Sequence, residues 1–113
     1  MAFITIKTNV PISKENEATL TQQIGQTMML IGQNENALLL NLESEQCFYL
    51  RGKKQPTALI SASIFANSKH IGYRAFAEKI TQIMAQILPI PPENLYIQFN
   101  DLNSWAVAGQ LIE

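Results

Sequence analysis

At 113 residues the chain has room for one domain with a modest core and no second one. Eight basic and nine acidic side chains leave a net charge of −1, so the basic stripe that nucleic-acid binding needs is absent. Cys47 is the only cysteine, which excludes an intrachain disulfide and a multi-cysteine metal cluster, and no apolar run approaches the roughly 20 residues that span a bilayer.

Phe3 to Lys7 is rich in Ile, Thr and Phe and reads as a strand, broken by Val10-Pro11 because proline lacks the ladder N–H. The start lacks a charged segment followed by an apolar one, so it is not a signal peptide, and a soluble cytoplasmic protein is expected. Ser13 stands at a helix N-cap with Glu15 and Glu17 in the first turn. Leu20, Ile24, Met28 and Ile31 follow at helical spacing, and Gly32 ends the helix. Ala37 to Leu42 is an apolar run of strand length, and Cys47 to Leu50 suggests a brief edge strand. Arg51 to Pro56 is a polar turn, and Ala58 to Ile64 reads as another strand.

From Ser68 or His70 a second helix runs to Leu88, with Tyr73, Phe76, Ile80, Ile83 and Ile87 on one face. Pro89, Pro91 and Pro92 stop it. Leu95 to Phe99 is a strand, Asn100 to Asn103 a turn, and Trp105 to Val107 a last short extended piece. Strand–helix–strand thus occurs twice, displaced by about 56 residues, the scale of a duplicated supersecondary unit. The expected fold is α/β of the α+β kind: a single domain over 1–113 with halves of about 1–56 and 57–113. It has a four-stranded mixed sheet carrying two helices on one face. Apolar residues on both sides of the strands, plainest in Ala37 to Leu42, leave a second face for copies of the chain to cover.

Ala2 through Pro11, with Thr8-Asn-Val-Pro11 in register, resembles the N-terminus of macrophage migration inhibitory factor and its relatives in the tautomerase superfamily. Thr21-Gln-Gln23, Gly52, Pro56-Thr-Ala-Leu59, Pro92 to Gln98 and Asp101-Leu-Asn103 extend the resemblance over nearly the whole chain. It implies a homotrimer whose sheets line a barrel, with a cofactor-free, metal-free site at each subunit boundary. Members catalyse keto–enol tautomerisation of α-keto acids there, with an N-terminal proline as base. A small aromatic or α-keto acid ligand follows.

Ala2 stands where that proline belongs. If Met1 is removed, the terminus is a primary amine with a reference pKa of about 7.7–8, a weaker base unless its pocket lowers that value. If Met1 stays, the amine is displaced by one residue and Met1 obstructs the pocket. The family's pocket lysine has no counterpart in Met28 to Asn34, and the resemblance puts Leu30 or a nearby insertion at its place. By the resemblance Tyr96 is kept, Gln98 replaces an asparagine, Val107 is kept, and the backbone donor falls at Phe65, or at Ile64 after a one-residue slip. Two classes of function follow, a weak or altered tautomerase and a non-catalytic trimer that binds a small molecule or a protein.

Each of these residues also has a plain structural reading. Tyr96 is equally a packed aromatic, Lys7 a solvated strand end, and Arg51, Lys53 and Lys54 a solvated turn or an anion clamp. Cys47 reads as a small buried hydrophobe. His70 reads as a surface or capping residue without ligand partners, and Trp105 as a boundary or pocket-mouth aromatic.

Overall fold

Period-2 alternation decides the layering. In β1 (Ala2–Thr8) the side chains of Ala2, Ile4, Ile6 and Thr8 are fully buried, while Lys7 on the opposite face is exposed. β3 (Ala58–Phe65) repeats the pattern, with Ala58, Ile60, Ala62 and Ile64 buried and Leu59, Ser61 and Ser63 partly exposed. In the computed structural model, which describes residues 1–113, β2 (Leu38–Glu43) pairs parallel with β1, and β4 (Leu95–Leu102) pairs parallel with β3. β1 and β3 pair antiparallel, giving the order β2-β1-β3-β4. Each half is therefore a parallel strand pair joined by a helix, and the halves meet antiparallel at the centre.

α1 (Lys14–Gln26) begins where Ser13 Oγ accepts the Asn16 N–H at 3.1 Å. Its apolar stripe continues through a 3-10 turn, Thr27–Ile31, so Leu20, Ile24, Met28 and Ile31 all reach the core. Gly32 closes the segment in the left-handed conformation. α2 (Tyr73–Ile87) places Phe76, Ile80, Ile83 and Met84 against the same sheet face. Its start at Tyr73 corrects the expected onset at Ser68 or His70, because His70 and Gly72 both have positive φ and interrupt helical backbone. The two helices and the inward strand faces share one core cluster of 18 residues.

Three further expectations are corrected. Cys47 to Leu50 forms no strand; a lone bridge joins Leu50 to Lys53, and Cys47 is exposed rather than buried. The expected turn at Asn100 is strand, since β4 continues to Leu102 alongside Phe65. The second sheet face is mixed rather than apolar. Read across the sheet in register, it carries Leu39–Phe3–Ser63–Asn100, then Asn41–Thr5–Ser61–Gln98, then Glu43–Lys7–Leu59–Tyr96. Apolar side chains hold two diagonal corners and polar ones the middle, where Gln98 Nε2 donates to Ser61 Oγ at 2.7 Å. Leu38, Leu40 and Leu42 pack inward, and Leu39, 61% exposed, is the leucine of that run that faces out.

Beyond the sheet, β5 (Trp105–Val107) and β6 (Gln110–Ile112) form a hairpin. Positive φ at both Ala108 and Gly109 marks a type I′ turn, whose twist suits a two-residue loop. Val107, Leu111 and Ile112 on it are all exposed.

Candidate functional site

The start of β1 lies in register with Leu38 on one side and Ile64 on the other, so Ala2 is enclosed by two strands and fully buried. The Phe65 N–H donates to the Met1 carbonyl at 3.1 Å. The Met1 amine donates to Gln33 Oε1. Gln33 is held in that orientation because its Nε2 donates to the Phe65 carbonyl at 3.0 Å. Desolvation keeps the amine's pKa below the ordinary α-amine value. Trp105 packs across Phe65, with ring centroids 6.4 Å apart. One end of the sheet therefore gathers Ala2, Ile64, Phe65, Gln33 and Trp105.

Tyr96 and Gln98 are not part of that cluster. Tyr96 pairs with Leu59 and Gln98 with Ser61, five and three residues along β3 from Ile64. At about 3.3 Å per residue those offsets are roughly 17 and 10 Å. Both side chains stand on the open sheet face, opposite to Ala2 and Ile64, and Tyr96 is 54% exposed. Val107 is exposed on the hairpin.

In the segment after α1 the residue that reaches the amine is Gln33. Leu30 does not reach the amine; its carbonyl lies against Gly72 at the start of α2. The left-handed Gly32 turns the chain back, and Gln33 then points at the strand end. The basic turn is tied into the fold, with an Arg51 guanidinium N–H donating to the buried Asn94 Oδ1 at 2.6 Å. Lys54 sits over the Tyr49 ring.

A second cluster of ionisable groups, which strand and helix patterns do not reveal, ties α2 to β4. Tyr73 OH donates to Asp101 Oδ1 at 2.6 Å, and His70 Nε2 lies 2.5 Å from Asp101 Oδ2. The Tyr73 ring is stacked between those of His70 and Phe99. Hydrogen bonds from Tyr73 and then His70 hold the Asp101 carboxyl below the usual carboxylate range. Burial, followed by the bond to Asp101 and its charge, raises the Tyr73 hydroxyl well above the ordinary phenol.

Asp101 with a lowered folded-state pKa adds stability above its unfolded value of about 3.9, and that stability is lost as pH falls through the folded value. Tyr73 with a raised one adds stability below its unfolded value of about 10, lost as pH rises toward the folded value. Urea midpoints measured at about pH 3, 7 and 10.5 are expected to peak at the middle point, with Asp101→Asn flattening the acid flank and reducing the basic one, which keeps the part due to Tyr73 burial. Equal pH profiles for variant and wild type would remove this cluster as their cause.

Two parallel βαβ units fused antiparallel, with both helices on one face and the strand start buried beside Ile64, define a chain of the tautomerase superfamily. Residues 1–110 match the family described as macrophage migration inhibitory factor (MIF), and the chain belongs to that family. It is 26% identical over 109 residues to the macrophage migration inhibitory factor homolog of Brugia malayi, covering 96% of this chain and 94% of that relative. Leishmania major MIF2 shares the fold with a TM-score of 0.91 at 15% identity, covering 99% of this chain and 97% of that one. A fused 4-OT wild type asymmetric trimer matches with a TM-score of 0.83 at 19% identity, covering 96% and 94%.

Proposed function

We propose that the chain assembles as a homotrimer with a pocket at each subunit boundary. The pocket takes a small aromatic or α-keto acid, and keto–enol tautomerisation there is weak or lost. Ala2 is the observation that carries this reading: its side chain holds no base, and its position is enclosed by Leu38 and Ile64. The separation of Tyr96 and Gln98 from Ala2 within one chain supports a site completed by a neighbour. Exposed apolar corners on the open face, the apolar hairpin and the trimeric fold relative support self-association.

Sedimentation at micromolar concentration is expected to give three chains per particle; a well-folded monomer would overturn the assembly. In the same preparation, loss of phenylpyruvate enol absorbance is expected to run close to the buffer rate. Brisk conversion would overturn the loss of activity.

The lowered pKa of the terminal amine favours a second reading, an active tautomerase with that amine as base. In this case acetylating the amine abolishes a clear rate; a rate that survives acetylation excludes it.

A further inference from the structure

On the side of the molecule away from the open sheet face, α1 and α2 leave a valley of about 510 Å³ between them. That volume is within the usual range for small-ligand sites. Its floor is the buried pair Thr27 and Ile83. Lys79 and Gln86 form one wall, at helical spacing with Ile83, and Gln23 and Gln26 form the other. Met29, 79% exposed, and Leu30 bring apolar surface to it.

The electrostatics point one way. Lys79 is the only charged group lining the valley, and no carboxylate stands there to repel an anion. The chain's one close charge pair is His70–Asp101, so Lys79 has no acidic partner. Each glutamine amide offers both donors and an acceptor beside that ammonium.

The apolar end lies at a defined distance. The Leu30 carbonyl abuts Gly72, seven residues before Lys79. At 1.5 Å of helical rise per residue the separation is roughly 10 Å. An extended chain of about eight carbons, with bonds of ~1.5 Å, spans that length.

We propose that this valley binds an amphipathic monocarboxylate of medium chain length. The carboxylate meets Lys79 and the flanking amides, and the tail lies over Thr27 toward Leu30 and Met29. Charge recognition comes from a single unpaired cation, so the site favours one negative charge over none or a positive one. None of Ala2, Ile64, Phe65 or Gln33 lines this valley.

Octanoate is the probe, titrated into the full chain while amide and methyl NMR signals are followed, with octylamine as the matched opposite charge. Octanoate is expected to shift the Gln23 and Gln26 side-chain amides and the Met29 methyl saturably, and octylamine to leave them in place. Lys79→Gln, at an exposed position, should raise the octanoate Kd about tenfold without disturbing the rest of the spectrum. Leu30→Ser should weaken octanoate as well, through the tail. Equal shifts from octylamine, shifts scattered outside the valley, or an unchanged Kd in Lys79→Gln would each overturn the proposal.

Discussion

Ala2→Pro, produced with Met1 removed and checked by intact mass, is expected to raise the phenylpyruvate tautomerisation rate about a hundredfold, the scale on which a positioned general base acts. The substitution turns the first residue of β1 into a secondary amine at the strand end occupied by Ile64, Phe65 and Gln33. It has a steric side. Ala2 is fully buried between Leu38 and Ile64, so the larger ring enters a filled position at a cost of about 1–3 kcal/mol.

Thermal unfolding of the same sample separates the two effects, since a stable variant with a raised rate isolates the base as the missing part. A folded, Met1-free variant that stays at the buffer rate shows that more than the base is absent. Gln33 is then the next residue to change, because a neutral amide occupies the approach to the amine. Adding Gln33→Lys supplies a cation for a carboxylate substrate, and a rate appearing only in the double variant would assign the deficit to both positions.

The parts of this molecule that sequence makes legible are those governed by neighbours along the chain. Ser13 with Glu15 and Glu17 marks α1, because capping is settled within one turn. The alternating Ala58-Leu-Ile-Ser-Ala-Ser-Ile64 shows which β3 residues point inward, and the same alternation, given its due, makes the polar middle of the open face visible. The leucine run Leu38 to Leu42 hides that alternation, since both faces read alike from composition.

Ala2, Ile64 and Phe65 come together through simple antiparallel register. Gln33 reaches the same place only because Gly32 reverses the chain with positive φ, which residue type alone does not aim. The Tyr73–Asp101 and His70–Asp101 contacts join positions 28 and 31 residues apart, beyond any local period. Tyr96 and Gln98 form the limiting case, because their register, five and three residues along β3 from Ile64, carries no signal that joins them to that end of the sheet.

Gly72→Ala is expected to destabilise the fold more than any other glycine substitution here, by about 3 kcal/mol or more. Gly72 has φ +83°, and a Cβ built there would lie 1.8 Å from the Leu30 carbonyl oxygen and 2.8 Å from its carbon. Both are backbone atoms, so no side-chain rotation relieves the overlap. Leu30 is also fixed in place: it lies within the 3-10 turn whose Met28 and Ile31 are buried in the core, and Ile31 O accepts from Asn67 Nδ2 at 3.2 Å.

Relief therefore requires the start of α2 to move outward. That strains the first helical bond, Phe76 N–H to Gly72 O at 2.9 Å, and draws the Tyr73 hydroxyl away from Asp101. Gly52→Ala is the matched control, since Gly52 has φ +76° with no atom within 4 Å of the added carbon. It carries the left-handed strain alone, on the order of 1 kcal/mol. Urea midpoints compared at equal protein concentration, which removes any contribution from self-association, then read the difference as the effect of the close approach. If the two variants lose the same stability, the start of α2 does not press on the turn after α1, and the junction that joins the two halves beneath the helices is looser than the geometry described.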